Sequence, residues 1–294
     1  MSSPGTLTVA AAQVESVLGD LDANLRKHLD VVDAARARGV DVLLFPEVSL
    51  VGHGAGGDAP RLAIDRHDDR IRRLAEATGP MCTVFGLIEE APAAQFHNTA
   101  AVVRDGQLIF LHRKINIPTY GRLEEGKHYA SGRYVETFEL AGAWRTSVLI
   151  CADVWNPALA HLAAVRGATL LLVSISSAVE AVGADFDNPG GWDTALRFYA
   201  MIYGLPVVMA NRVGREGELT FWGGSRILDP SGRTLAQARD GGGEELVVAE
   251  LDYELVRRAR WLLPTVRDSN LDLILRETQR LAGTTGIPDI VRSA

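Results

Sequence analysis

Three residues with reactive side chains, Glu47, Lys114 and Cys151, each stand just after an apolar segment with the character of a buried strand. The three apolar segments are residues 42–45, 108–111 and 147–150. A side chain at the end of a strand is held by a rigid element and still reaches a loop surface, where binding and catalytic groups concentrate. These positions are therefore the candidate reactive groups of the chain.

Each of the three side chains suits a different part of nucleophilic chemistry. Cys151 stands where a strand gives way to a helix, so turn amides, the helix dipole and a nearby lysine are expected to lower the pKa of its thiol. Glu47 emerges from a buried strand as a partly desolvated carboxyl group, which suits proton transfer. Lys114 is one of only three lysines among 30 basic residues, and its compact ammonium can sit beside an oxyanion as a point charge.

Each residue also has an ordinary explanation. Glu47 can be a solvated residue at a strand end, and Lys114 can be a surface cation that caps a strand. Cys151 can be an inert buried thiol, as we expect of Cys82 inside its own strand. Residue type alone leaves these alternatives open.

The elements that must position these residues alternate between strand-like and helical along the chain, which predicts an α/β fold. The expected strands are residues 7–13, 42–45, 82–88, 99–103, 108–111, 147–150, 169–175 and 206–210, and the expected helices lie near residues 25–35, 68–77, 157–165 and 192–202. Asp105-Gly106 predicts a tight hairpin, and residues 229–232 predict a second one. We expect one domain of two similar halves over residues 1–263, followed by a C-terminal arm, residues 264–294, that contributes to subunit contacts.

Composition excludes several functional classes. The chain of 294 residues carries 37 acidic and 30 basic residues, a net charge of −7, which argues against nucleic-acid binding. No apolar run reaches membrane-spanning length and no leader pattern precedes residue 6, so we expect no membrane association and a cytoplasmic location. The two cysteines have no metal-type spacing, so neither a disulfide framework nor a metal site is expected.

Common catalytic and nucleotide-binding signatures are missing from the sequence. It contains no Walker A loop, no HExxH, no EF-hand loop and no GxSxG elbow. Gly52, Gly54 and Gly57 match G-x-G-x-x-G, but no convincing helix follows them. We interpret this segment as a glycine-rich loop near a pocket.

The order Glu47, Lys114, Cys151 resembles the nitrilase superfamily of carbon-nitrogen hydrolases, and the resemblance covers about residues 7–252. The matching fragments are Ala12-Gln13, Asn24, Phe45-Pro46-Glu47, Asn98-Thr99-Ala100, Asp105-Gly106, Arg113-Lys114, Ile150-Cys151, Asn211, Gly223-Gly224-Ser225 and Asp229-Pro230-Ser231-Gly232. The resemblance implies a four-layer α-β-β-α sandwich that assembles as a homodimer or a higher homo-oligomer.

The same resemblance implies a role for each reactive residue. Glu47 resembles the family's general base, Lys114 its oxyanion stabiliser and Cys151 its nucleophile. A second family glutamate best matches Glu125, with Glu124 as the competing alignment. The implied reaction is cofactor-free hydrolysis of a small amide through a thioester, with the backbone N–H of Ala152 as a second oxyanion donor.

Three segments, residues 114–125, 150–155 and 211–221, resemble the glutaminase domains of glutamine-dependent NAD synthetases. The chain lacks an SGGxDS loop, and Ala152-Asp153 replaces the Trp-Glu that usually follows the cysteine of true nitrilases, so amides are favoured over nitriles. The alternatives are a nitrilase, a glutaminase that supplies ammonia to a partner enzyme, and a non-catalytic binding homologue.

Several further residues are candidates for the substrate pocket. The expected substrate-binding residues are Tyr120, Ala152, Trp155 and Ser177, and Trp192 and Trp222 are further candidates for the pocket wall. Asp153 and Arg212 can either bind a polar substrate tail or pair with neighbouring residues. The identity of the substrate stays open.

Overall fold

The computed structural model of the protein describes residues 5–183, 185–239 and 242–285. Two six-stranded sheets form its centre. The first sheet contains, in spatial order, β14 (Glu245–Asp252), β1 (Thr6–Gln13), β2 (Val42–Leu44), β3 (Cys82–Ala91), β4 (Gln95–Arg104) and β5 (Gln107–Arg113). The second contains β13 (Thr234–Gln237), β12 (Arg226–Leu228), β9 (Val207–Asn211), β8 (Leu170–Ile175), β7 (Arg145–Ile150) and β6 (Phe138–Glu139). A separate hairpin pairs β10 (Val213–Glu216) with β11 (Leu219–Trp222).

The two sheets share one pairing pattern. Three parallel strands, β1, β2 and β3 in the first sheet and β7, β8 and β9 in the second, are extended by two antiparallel strands on one side and by one antiparallel strand on the other. The hairpin predicted at Asp105-Gly106 joins β4 to β5, and both residues have positive φ angles, 50° and 75°, as a type I′ turn requires. The second predicted hairpin joins β12 to β13.

Helices cover the outer faces of both sheets, α1 (Leu21–Ala37) and α3 (Asp69–Thr78) on the first and α4 (Pro157–Val165) and α5 (Asn188–Tyr203) on the second. The other helices are α2 (Ala59–Leu62), α6 (Tyr253–Leu262) and α7 (Leu271–Thr285). One hydrophobic core lies between α1, α3 and the first sheet, a second lies between the two sheets, and a third lies between the second sheet and α4 and α5. The predicted four-layer α-β-β-α sandwich is therefore confirmed.

Some elements differ from their predicted bounds or had not been predicted. The strand β14 and the hairpin of β10 and β11 had not been predicted as strands, although β14 pairs with β1 along its full length. The helix α5 begins at Asn188, four residues earlier than expected, because the carboxylate of Asp187 accepts a hydrogen bond from Gly190 N and caps the helix.

The expected C-terminal arm contains α7, and its residues 286–294 lie outside the described part of the chain. Within residues 5–183, 185–239 and 242–285, no helix has both the length and the apolar character needed to span a lipid bilayer.

Candidate active site

The ends of β2, β5 and β7 bring the three reactive residues of the sequence to one place. Glu47 Oε1 lies 2.7 Å from Lys114 Nζ, and both side chains are almost fully buried. Cys151 lies close enough that the charges of Glu47 and Lys114 both act on its thiol. The site therefore stands where the two sheets meet.

Glu47 is fixed from both sheets. Its Oε1 accepts hydrogen bonds from Lys114 Nζ and from Asn98 Nδ2 (2.8 Å), and its Oε2 accepts one from Ser176 N (2.9 Å), which follows β8. The next residue, Val48, has a φ of +43°, which is uncommon for a β-branched residue. Gly86 makes this turn possible, because a Cβ at that position would lie 2.1 Å from Val48 N.

Lys114 is a buried cation held by two carboxylates. Its Nζ lies 2.7 Å from Glu125 Oε1 and 2.8 Å from Glu125 Oε2, in addition to its contact with Glu47. Burial opposes the charged form, but the charges of Glu125 and Glu47 outweigh it and hold the pKa of the Lys114 ammonium well above its usual value. The lysine therefore stays charged at neutral pH.

Glu125, and not Glu124, is the glutamate that contacts Lys114. Glu124 faces solvent and pairs with Lys127 instead. Burial raises the pKa of the Glu125 carboxyl and Lys114 opposes that shift, while neighbouring Glu47 adds to it.

Asn98 on β4 links the two carboxylates. Its Nδ2 donates to Glu47 Oε1 and, at 3.5 Å, to Glu125 Oε2. Its backbone carbonyl accepts a hydrogen bond from Lys114 N at 2.8 Å. Asn98 had been noted only as part of the family resemblance, and the signal that could have indicated a role is an amide side chain within an otherwise buried strand.

Cys151 adopts a strained backbone conformation at the end of β7. Its φ angle is +43°, and it opens a short 3₁₀ helix, Cys151–Asp153. Such a sharp turn directs the thiol away from the strand and into the neighbouring cavity, which Cys151 lines.

The expectation that the Cys151 thiol has a lowered pKa is wrong. Burial, followed by the charge of Glu47, raises the pKa of this thiol well above its ordinary value, although Lys114 opposes the shift. Two physical reasons account for the difference. The helix α4 begins only at Pro157, so no long helix directs its dipole at the sulfur, and two carboxylates already balance the lysine.

Asp153 connects the turn at Cys151 to the segment that carries Lys114. Its Oδ1 accepts hydrogen bonds from Ile115 N (2.9 Å) and Asn116 N (2.8 Å). Its Oδ2 accepts from His112 Nε2 (3.0 Å) and Ile150 N (3.1 Å). Asp153 is fully buried and uses its oxygens within the protein, so it pairs with neighbours and does not face a substrate.

A narrow cavity of about 20 Å³ adjoins the cluster formed by Glu47, Lys114, Glu125 and Cys151. All four expected substrate-binding residues, Tyr120, Ala152, Trp155 and Ser177, line it together with Cys151 and Glu125. Trp192 lines it as well, whereas Trp222 packs into the core outside the second sheet. An open cleft of about 540 Å³ shares Tyr120, Ala152 and Trp155 with the cavity and leads to solvent.

His53, Ser176 and Asn188 also line the cavity, and none of them had been predicted there. His53 belongs to the glycine-rich segment that matched G-x-G-x-x-G. Glu216 anchors this segment by accepting hydrogen bonds from His53 N (3.2 Å) and Gly54 N. The segment lies near a pocket as expected, but it forms a short 3₁₀ helix, His53–Asp58, followed by α2, so its interpretation as a loop is wrong. The sequence did not indicate that its histidine faces the site.

Arg212, the other residue left open, pairs with neighbours. Its guanidinium is buried, lies 2.6 Å from Glu216 Oε2, and stacks 4.1 Å from the centre of the Phe221 ring. Among the described residues, no group of three or more His, Cys, Asp or Glu side chains is arranged to hold a metal ion.

Comparison with known proteins gives a consistent result. Residues 8–260 match the family described as carbon-nitrogen hydrolase. The glutamine-dependent NAD(+) synthetase of Thermotoga maritima is 30% identical over 252 residues, which are 84% of this chain and 42% of that protein. The N-carbamoylputrescine amidase of Solanum tuberosum is 26% identical over 295 residues, covering 91% of this chain and 93% of the amidase.

A solved structure of the amidase from Nesterenkonia sp. AN1 matches with a TM-score of 0.76 at 25% identity, over 92% of this chain and 99% of that one. It is a variant that shows the result of Michael addition of acrylamide at the active site cysteine. The chain thus spans less than half the length of the NAD(+) synthetase and nearly all of the two amidases.

Proposed function

The chain belongs to the carbon-nitrogen hydrolase family, and from this membership we propose that it hydrolyses a small amide through a thioester on Cys151. It is a hydrolase that acts on carbon-nitrogen bonds other than peptide bonds. One observation carries the proposal. The ammonium of Lys114 lies 2.7 Å from each of two carboxylates, Glu47 and Glu125, next to a cavity that Cys151 lines.

In the proposed reaction Glu47 acts as the general base. The raised pKa keeps the Cys151 thiol protonated at neutral pH, so the proton must leave as the sulfur attacks the amide carbon. Glu47 is the carboxylate whose charge acts most strongly on this thiol, and it is already held in place by three hydrogen bonds. A positioned base of this kind contributes roughly 10² to 10⁴-fold to the rate.

Lys114 and the backbone N–H of Ala152 then hold the oxyanion. Both groups come from rigid elements, so they need not reorganise when charge develops on the oxygen. Glu125 takes no proton in this scheme. Its two oxygens hold the ammonium of Lys114 in place together with Glu47.

The second half of the reaction returns the enzyme to its starting state. Glu47 gives its proton to the departing nitrogen, the carbon-nitrogen bond breaks, and ammonia leaves. Glu47 then takes a proton from the water that attacks the thioester and passes it to the sulfur as the carbon–sulfur bond breaks, which releases the carboxylic acid and restores the thiol. The balance is one amide and one water in, one acid and one ammonia out.

Trapping of the covalent intermediate tests the proposal. We expect the wild type, quenched during turnover of a small primary amide, to carry an acyl group at Cys151 that peptide mass spectrometry locates, and Glu47→Gln to gain an acrylamide adduct at the same residue. The acrylamide adduct in the Nesterenkonia amidase variant supports this choice of reagent. An adduct at Cys82 with an unmodified Cys151, or full turnover by Cys151→Ala, would refute the proposal.

A glutaminase that supplies ammonia to a partner enzyme is the second candidate. It is favoured by the 30% identity to a glutamine-dependent NAD(+) synthetase, of which this chain spans 42%. Rapid release of ammonia from free glutamine, measured against a panel of other primary amides and nitriles, would support it.

We also propose that the protein forms a homodimer or a larger homo-oligomer through its outer helices. Phe198 and Met201 on α5 are each 48% exposed, and Trp261 on α6 is 83% exposed. The two helices adjoin, because Arg260 Nε donates a hydrogen bond to the carbonyl of Tyr203. Exposed apolar patches of this kind mark interaction surfaces. Light scattering of the wild type and of Trp261→Glu is expected to show dissociation in the variant.

A further inference from the structure

The wall of the catalytic cavity is largely aromatic and aliphatic. The apolar or largely apolar side chains that line it are Tyr120, Leu123, Trp155, Ala181, Val182 and Trp192. The ring centres of Trp155 and Trp192 lie 4.6 Å apart, so the two indoles form one continuous surface. A wall of this composition favours contact with hydrocarbon.

Apart from Glu125, the polar side chains that line the cavity are neutral, and several already bond to one another. Ser177 Oγ accepts hydrogen bonds from Asn188 Nδ2 (2.9 Å) and Trp192 Nε1 (3.0 Å). Asn188 Nδ2 also donates to the carbonyl of Ala178. Both hydrogens of the Asn188 amide nitrogen are therefore used. Burial lowers the pKa of the His53 imidazole, so this side chain is uncharged at neutral pH.

The reacting end of the cavity carries a net negative charge. Two carboxylates, Glu47 and Glu125, share the single ammonium of Lys114. Among the described residues that line the cavity, none carries a positive charge. A substrate carboxylate brought into this site would therefore lose its hydration without gaining a cationic partner.

The outer cleft continues the neutral surface. Beyond the residues that it shares with the cavity, it is lined by Ile115, Asn116, Ile117, Pro118, Thr119 and Asn156, together with Ser131. Apart from Glu125 at the reacting end, a substrate chain that extends from Cys151 past Trp155 thus meets no charged side chain of the described residues in either space.

We propose that the acyl group of the substrate is uncharged and hydrophobic, so that the enzyme takes a neutral aliphatic or arylalkyl primary amide and rejects amides with a carboxylate in the acyl chain, glutamine included. The inference rests on the proposed amide hydrolysis at Cys151. It separates this chain from an enzyme that requires glutamine, because recognition of an α-amino acid needs a partner for its carboxylate.

Three amides of equal chain length test the charge preference directly. Pentanamide, glutaramate and 5-aminopentanamide differ only in a terminal methyl, carboxylate or ammonium group. We expect kcat/KM, measured by ammonia release, to be at least about 100-fold higher for pentanamide than for glutaramate, since the carboxylate would be buried unpaired. The ammonium compound is expected to be intermediate, because aromatic faces compensate part of its desolvation.

A change of charge in the wall provides the matched experiment. Leu123 lines the cavity and packs against the small apolar cluster of Ala178, Ala181 and Phe221, so Leu123→Lys supplies a cation and Leu123→Gln controls for the loss of the apolar side chain. We expect kcat/KM for glutaramate to be about 10-fold higher in Leu123→Lys than in Leu123→Gln, with pentanamide equally reduced in both.

The outcomes separate the inference from the proposed function. Hydrolysis of glutaramate or glutamine by the wild type at a rate within about threefold of pentanamide, lost in Cys151→Ala, would overturn the charge preference and leave the amidase intact. Absence of turnover for every amide, with the wild type indistinguishable from Cys151→Ala, would remove the amidase and this inference together.

Discussion

The two sheets contribute different kinds of group to the site. The first sheet supplies the charged groups, Glu47 after β2 and Lys114 after β5, and the neutral amide of Asn98 on β4 that binds Glu47. The second supplies Cys151 after β7 and a wall of neutral side chains that includes Ser177 after β8. The charged groups bind one another within hydrogen-bond distance, whereas the thiol is held by a strained turn.

This difference between the sheets indicates a separate role for each in the proposed reaction. Groups that must stabilise charge in the transition state are fixed before the substrate arrives, which avoids reorganisation during the reaction. In the proposed reaction the Cys151 thiol stays uncharged until the amide carbon is in place, because burial and Glu47 raise its pKa. The comparison predicts different effects for substitutions in the first sheet, in the second sheet and at Asp153, which connects them.

The largest effect is expected at the nucleophile, and the second cysteine offers a control from the first sheet. Cys151→Ala should lower kcat/KM by about 10⁴-fold or more, because a covalent path cannot start without the sulfur. Steady-state ammonia release measures it. The wild type should acylate at Cys151 and the variant should not.

Cys82→Ala is the matched substitution. Cys82 is buried within β3, and burial raises the pKa of its thiol to about 12, so it has no part in the chemistry. We expect unchanged turnover and a decrease of about 1 to 2 kcal/mol in the free energy of unfolding. A loss of activity in Cys82→Ala with a stable fold would break the distinction between the two thiols.

The next effect concerns the charges of the first sheet. Lys114→Met removes an oxyanion donor and should lower kcat by about 10² to 10³-fold. It also leaves Glu47 and Glu125 buried without a cation, so the free energy of unfolding should fall by roughly 3 to 5 kcal/mol. Activity assays and chemical denaturation measure the two quantities.

Lys127→Met provides the control, because Lys127 pairs with Glu124 at the surface, where both side chains are more than half exposed. Both quantities should stay at their wild-type values. Equal losses in the two lysine variants would show that buried charge is not what distinguishes the first sheet.

An intermediate effect is expected where the two sheets connect. Asp153→Asn keeps the size of the side chain but replaces an acceptor oxygen by a donor, so two of its four hydrogen bonds fail. Small displacements of Lys114 and Cys151 should follow and lower kcat by about 10 to 100-fold, with KM nearly unchanged.

Asp229→Asn tests whether this effect is specific. Asp229 is also buried and also caps backbone N–H groups, those of Ser231 and Arg233, but in the hairpin between β12 and β13. The Asp229→Asn variant should have a lower free energy of unfolding and an unchanged kcat. If both aspartate variants change kcat equally, Asp153 acts only through overall stability.

The sequence predicted the parts of this arrangement that depend on local pattern. Short apolar runs placed Glu47, Lys114 and Cys151 at strand ends, and Asp105-Gly106 specified its hairpin, because both signals are contained in a few neighbouring residues. The strand β14 had not been predicted, since its pairing with β1 joins residues at opposite ends of the chain.

Features that depend on distant partners could not be obtained in this way. The choice between Glu124 and Glu125 depends on which carboxylate faces Lys114 across the fold. The pKa of Cys151 was predicted in the wrong direction because the sequence shows a lysine but not the two carboxylates that balance its charge. Asp153 was left open because its partners at residues 112–116 lie in a separate segment.

The smallest effect is the pH dependence of the free energy of unfolding that His28, packed beneath the first sheet, is expected to cause. His28 on α1 is buried, its Nδ1–H donates to the carbonyl of Asn24 (2.7 Å), and its Nε2 accepts from Ser49 Oγ (2.9 Å). Ser49 Oγ in turn accepts from Gly86 N, next to the turn that follows Glu47. Burial lowers the pKa of His28 from 6.5 to about 4.

The sign of the effect follows from linkage. The unfolded chain binds the proton near pH 6.5 and the folded chain only near pH 4, so the free energy of unfolding should fall as the pH is lowered through this window, by about 3 kcal/mol in total. Denaturation at several pH values should show a flatter profile for His28→Gln than for the wild type. His67→Gln, at an exposed position, should keep the wild-type slope, and a wild-type slope in His28→Gln as well would show that acid weakens the fold elsewhere than beneath Glu47.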